Sequence, residues 1–140
     1  MKQRKALSVE GWSPDLPEAM TTISQFNWEF TIDEPSIFRA SGHIDCHHRG
    51  VYGTKDKAVM VAMRLLLNGS QIRGSVTGCN IVGTEQHYGI MPVHANVELQ
   101  AGTYTVALQA RSASTTATGK NGLAEIKGGY NEVVYEVESL

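Results

Sequence analysis

Four residues close together in this 140-residue chain have side chains suited to holding a metal: His43, Cys46, His47 and His48. Imidazole and thiolate are good zinc ligands. On an extended strand, however, successive side chains alternate between faces. His43 and Cys46 then point to opposite sides, and His47 and His48 diverge again. No second ligand pair follows at a recognisable spacing, and His87 and His94 join only if the tertiary fold brings them in. The cluster reads as a polar strand end, with no metal site. Nucleophilic catalysis needs a base oriented on its nucleophile, and none of the serines sits in a strained Gly-x-Ser-x-Gly turn. Asp33-Glu34 reads as a turn and the C-terminal glutamates as a solvated face, so no carboxylate pair suits glycosidic cleavage. Gly119-Lys120 lacks the glycine spacing of a phosphate-binding loop. Asn68-Gly69-Ser70 fits the glycosylation pattern, but at a hairpin turn in a chain with no export signal. The expectation is a protein that is not an enzyme, with no catalytic residue, no metal and no cofactor.

What remains is surface. Tyr52, His87 and Tyr88 fall in loops, where an aromatic ring with polar neighbours can stack on a sugar. Rim aromatics packed on the core edge are the plainer reading. Trp12 and Leu16, in an irregular and proline-containing lead-in, suggest an arm that docks on another surface.

Composition narrows the partners. A net charge of -2 gives no electrostatic case for nucleic acid, and Lys2, Arg4 and Lys5 are too sparse to form a nucleic-acid arm. No apolar run is long enough to span a membrane. The N-terminal residues lack the apolar stretch of a secretory signal, so synthesis is expected in a cytoplasm, with Cys46 and Cys79 as two buried thiols. Charged residues make up only 19% of the chain, which agrees with some surface being hidden in an assembly.

The elements that must position these residues are strands. Phe26, Trp28, Phe30 and Ile32 alternate with polar residues, and Asp33-Glu34-Pro35 makes a turn. Phe38, Ala40, Gly42, Ile44 and Cys46 then share a face. Residues 58–67 are apolar on both faces and end at Asn68-Gly69, a strong hairpin signal. Such a strand is buried on both sides, which suggests a subunit contact. Residues 72–82 read as a short strand plus loop, and 85–91 as loop. Residues 93–111 alternate strictly on either side of Ala101-Gly102 and read as a β-hairpin. Residues 112–122 form a low-complexity exposed loop. Val133, Tyr135 and Val137 face inward on a closing strand with glutamates outward. The pattern predicts an all-β antiparallel sandwich, a jelly roll of about eight strands over 23–140, preceded by an extended arm over 1–22.

In order along the chain, Phe30-Thr-Ile-Asp-Glu-Pro-Ser-Ile-Phe38, Val61-Ala-Met-Arg-Leu-Leu-Leu-Asn-Gly-Ser-Gln-Ile72 and Val97-Glu-Leu-Gln-Ala-Gly-Thr-Tyr-Thr-Val-Ala-Leu-Gln-Ala110 resemble bacteriophage virion β-sandwich proteins. The type is the complement-head or tumour-necrosis-factor-like jelly roll, and the likeness covers about residues 25–138. The resemblance implies a non-enzymatic structural role and a homotrimer on a capsid or tail surface, in contact with other virion proteins. On that reading Val59, Val61, Met63, Leu65, Phe26, Trp28 and Phe30 serve core and subunit contact, and Trp12 and Leu16 dock on the particle. A host-glycan attachment module, using loops 47–57, 83–91 and 112–122, is the alternative. No collagen-like or coiled-coil stalk is present, which argues against a long-fibre tip.

Overall fold

The computed structural model describes residues 1–11, 16–47, 58–82, 88–114 and 124–140. Twelve strands run in chain order: β1 Lys2–Leu7, β2 Thr21–Thr22, β3 Trp28–Ile32, β4 Ser36–His47, β5 Ala58–Leu67, β6 Ser70–Gln71, β7 Thr77–Val82, β8 Tyr88–Pro92, β9 Ala95–Leu99, β10 Gly102–Ser114, β11 Glu125–Ile126 and β12 Glu132–Ser139. Apart from one 3-10 turn at Ser24–Phe26, no helix occurs among the described residues.

Every strand pairing is antiparallel. Four pairs of short strands (β2 with β3, β6 with β7, β8 with β9, β11 with β12) each flank the same long neighbour and act as single interrupted courses. Counted that way there are eight courses, and the two sheets read 1-8-3-6 and 2-7-4-5. This interleaving of two four-course sheets is the jelly roll. Sheet A holds β1, β12 with β11, β4, and β9 with β8; sheet B holds β3 with β2, β10, β5, and β7 with β6.

The core fills the space between the sheets because each long strand alternates. Phe38, Ala40, Ile44 and Cys46 of β4 face Val59, Val61, Met63 and Leu65 of β5 and Val106, Leu108 and Ala110 of β10, all of them buried. Rings concentrate at one end. Phe30 stacks on Phe38 at 5.8 Å and on Tyr104 at 5.6 Å, and Tyr135 stacks on Trp28 at 6.1 Å. Each such contact adds roughly 0.5–1.5 kcal/mol to the burial of the rings themselves.

Several expectations change. The 93–111 segment is not a hairpin: β9 pairs with β4 in sheet A, and β10 pairs with β3, β2 and β5 in sheet B. The chain arches from one sheet to the other between Leu99 and Gly102, and the Tyr104 hydroxyl donates to the Gln100 carbonyl at 2.8 Å across the arch. The two apolar faces meet across the core instead of lying side by side. The Asn68-Gly69 turn does close a hairpin, between β5 and β6. Both residues have positive φ, 49° and 82°, as the mirror-image turns of hairpins require. Residues 88–91, expected as loop, belong to β8. Polarity alternation misses it because Gly89 is the inward residue and Ile90 an outward one.

The lead-in is not a free arm. Lys2–Leu7 adds to β12 as the edge strand of sheet A, and Val9 and Leu16 are buried in the chain's own core. Ser112 secures this docking. Its hydroxyl donates to the Leu16 carbonyl at 2.6 Å and accepts from the Ala124 amide at 3.1 Å, while its own amide donates to the Pro17 carbonyl at 2.9 Å. Ser112→Ala is expected to lower stability by about 2 kcal/mol, because it leaves a buried carbonyl and a buried amide unpaired. A shift of the urea midpoint at unchanged slope measures it.

Candidate functional site at the loop-bearing end

The jelly-roll winding gathers six strand ends at one end of the sandwich. β4 ends at His47 and β5 begins at Ala58; β7 ends at Val82 and β8 begins at Tyr88; β10 ends at Ser114 and β11 begins at Glu125. The pairings His47↔Tyr88, His47↔Glu125, Ala58↔Val82 and Val59↔Ser114 hold these ends level. The three connections between them are the loops that the sequence assigns to ligand contact. Tyr52 and His87, with His48, lie outside the described residues, as does Trp12. Tyr88 is described: it is 45% exposed on the outer face of sheet A.

Around Tyr88 the register builds a polar surface. His47 and Tyr88 are directly opposed, and their rings stack at 5.6 Å with 26° between planes. Asp45, two residues earlier on the same face, opposes Ile90, which is 54% exposed. Glu125 opposes His47 from the other side. Asp45 and His47 face outward yet are only 8% and 7% exposed.

The chain beside Asp45 is irregular between β11 and β12. Between them the chain detours through Lys127–Asn131, which breaks the ladder beside Asp45. The Lys127 amide donates to the Asp45 carbonyl at 2.8 Å, and the Asn131 side-chain oxygen accepts from the Asp45 amide at 2.6 Å, replacing the missing strand partner. The Lys127 ammonium lies 3.8 Å from the centroid of the exposed Tyr130 ring. The Asp45 carboxylate stands 3.4 Å from the His47 Nε2, within ion-pair range, but among the described residues its Oδ1 accepts no aligned hydrogen bond. This oxygen is a buried acceptor with spare capacity.

Of the three side chains, only the Tyr88 ring is exposed enough to meet a ligand directly; the His47 imidazole and the Asp45 carboxylate stand buried beside it. Among the described residues no three His, Cys, Asp or Glu side chains converge. Cys46 turns into the core while His43 is exposed on the outer side, so alternation separates them as the spacing predicts. Val59, Val61, Met63, Leu65, Phe26 and Phe30, assigned by sequence to a subunit contact, are buried inside a single chain instead, and Trp28 is half-buried against Phe30 and Tyr135. Leu16, assigned to particle docking, is likewise internal. Sequence reasoning reached Tyr88 but missed His47, Asp45 and Asn131 as its surroundings. Only the long-range pairing of β4 with β8 and the detour before β12 bring them together.

No protein-family model matches this sequence, and no curated protein matches it. Solved structures share its fold. A chain in the structure of infectious bursal disease virus Gx strain aligns with a TM-score of 0.55 and 12% identity, over 99% of this chain and 38% of that one. Dimeric latent PorU from Porphyromonas gingivalis aligns with a TM-score of 0.50 and 12% identity, over 99% of this chain and 13% of that one. This chain therefore spans well under half the length of either protein. At such identities the likeness is one of fold. The chain is a β-sandwich of the jelly-roll kind that also occurs in a virus particle.

Proposed function

We propose that this protein is a non-enzymatic structural jelly roll of a virion, of bacteriophage type, standing as a trimer on the capsid or tail surface. The observation that supports this reading best is the complete eight-course winding, with its core closed within one chain and six strand ends gathered at one end. Such a unit is a rigid block whose outer faces are available for assembly.

With the inner faces consumed, we assign the subunit contact to the outer face of sheet B. There Met60, Ala62 and Leu66 of β5 are half-buried, beside Ala107 and Ala113 of β10 and Gly78 of β7. Arg64, Gln109 and Arg111 share that face with them, and Met and Arg are among the residue types enriched where copies associate. Sedimentation tests it. The wild type is expected to run as a trimer, and Leu66→Lys as a monomer that keeps its β-sheet circular dichroism. A monodisperse wild-type monomer at micromolar concentration overturns the trimer. Co-purification with assembled particles tests the virion role.

One observation favours a second reading, host-glycan attachment: the exposed Tyr88 ring backed by His47. Binding on a glycan array that disappears in Tyr88→Ala supports attachment. Binding to assembled particles alone supports decoration.

A further inference from the structure

The two cysteines come from different sheets and meet at the seam between them. Cys46 lies on the inner face of β4 and is fully buried, while Cys79 lies on β7 and is half-buried against the same core. Strand register sets Gly89 of β8 directly opposite Cys46. A Cβ built on Gly89 would stand 2.6 Å from the Cys79 Sγ. The Cys79 sulfur thus fills the space that a side chain at position 89 would take. Directly opposed residues of an antiparallel pair share a face, with Cβ positions about 4.5–5.5 Å apart. Cys46 and Cys79 are therefore neighbours across the seam. Among the described residues β7 pairs only with β5, so this edge strand is free to close the remaining gap. Burial holds both thiols above their ordinary range, and at Cys46 the nearness of Cys79 and Asp45 adds to the effect.

We propose that Cys46 and Cys79 are a latent disulfide that joins the two sheets at the loop-bearing end, formed by exchange with a small-molecule disulfide such as oxidised glutathione. Cys79, the more exposed of the two, reacts first. Its thiolate attacks one sulfur of the oxidant, the oxidant's S–S bond breaks, and one thiol leaves with the Cys79 proton. The Cys46 thiolate then attacks the Cys79 sulfur, and the second thiol leaves with the Cys46 proton. Two cysteine thiols become one disulfide while one small disulfide becomes two thiols. Because the thiolate is the reacting form, closure is slow at neutral pH and accelerates as pH rises. A reducing cytoplasm keeps the pair open, and oxidising surroundings close it.

The test is incubation of the native protein with oxidised glutathione, followed by intact-mass measurement, peptide mapping and thermal melting. The expected product is a monomeric chain lighter by two hydrogens, with the Cys46 and Cys79 peptides linked. Its melting temperature rises by about 10 °C. Reduction reverses the gain, and Cys46→Ser and Cys79→Ser each abolish it. A glutathione adduct that persists on Cys79, a dimer bridged through Cys79, or native protein with both thiols unreacted overturns the proposal. The mass readout on the wild type decides the matter even if a variant fails to fold.

Discussion

Gly42→Ala is expected to destabilise the protein by about 4 kcal/mol, a large fraction of the 5–15 kcal/mol that separates folded from unfolded chains. Gly42 sits in the middle of β4 with φ at +119°, a conformation that residues with a Cβ rarely adopt. It pairs with Val133, and an added Cβ would fall 1.9 Å from the Glu132 carbonyl oxygen and 3.1 Å from the Val133 Cα. Both obstacles are backbone, so no side chain can rotate away. The dihedral strain contributes roughly 1–3 kcal/mol and the forced shift of β12 a similar amount. Gly69→Ala separates the two terms. Gly69 also has positive φ, at +82°, but no atom within 4 Å of the added Cβ. Its replacement is expected to cost only about 1 kcal/mol. Urea denaturation of both variants makes the comparison, and a Gly42→Ala loss no larger than that of Gly69→Ala would refute the steric account.

The second large effect belongs to Tyr135. Its ring is fully buried between Trp28 and Phe38, and its hydroxyl donates to the Phe26 carbonyl at 2.8 Å. Tyr135→Ala is expected to remove roughly 4–5 kcal/mol, through lost burial and the cavity left behind. Tyr135→Phe keeps the packing and leaves one buried carbonyl unpaired, a loss of about 1–2 kcal/mol. The conservative variant also carries a pH signature. Burial raises the phenol above its ordinary value, which is about 10. The folded state therefore retains a proton that the unfolded state releases. The associated stability is fully present below about pH 10 and declines as pH rises through the folded value. Urea midpoints should consequently fall more gently with alkaline pH in Tyr135→Phe than in the wild type. Equal slopes would assign the alkaline loss to other groups.

The strands were legible because period-two alternation depends on one buried face, and β4, β10 and β12 each carry it plainly, whereas β5, apolar on both faces, was marked by the Asn68-Gly69 turn that ends it. The same signal says nothing about which neighbour a strand takes. Val93–Leu99 and Tyr104–Ala110 carry the alternation of a hairpin, yet a strand whose apolar face meets the opposite sheet alternates identically to one paired alongside. The same ambiguity placed Val59, Val61, Met63 and Leu65 at a subunit contact when sheet A of their own chain covers them. β8 was hidden because its inward residue at position 89 is a glycine, whose small size lets Cys79 in. The candidate site was half legible. Tyr88 stands out as a loop aromatic, whereas the break between β11 and β12 in the ladder alongside β4, which sets Asn131 beside Asp45, is not announced by local sequence.

Both chain ends lie at the end of the sandwich away from His47, Tyr88 and Glu125. The Ser139 amide donates to the Met1 carbonyl at 3.1 Å and the Leu140 amide to the Pro35 carbonyl at 3.1 Å, beside the first residue of β4, whose last residue is His47. The 12 residues of β4 separate the two poles, about 40 Å of extended chain. A tether at either terminus, whether a neighbouring polypeptide or a laboratory tag, therefore holds the molecule by one pole and presents the other. Surface-immobilised protein should keep Tyr88 facing the solution whichever terminus is anchored.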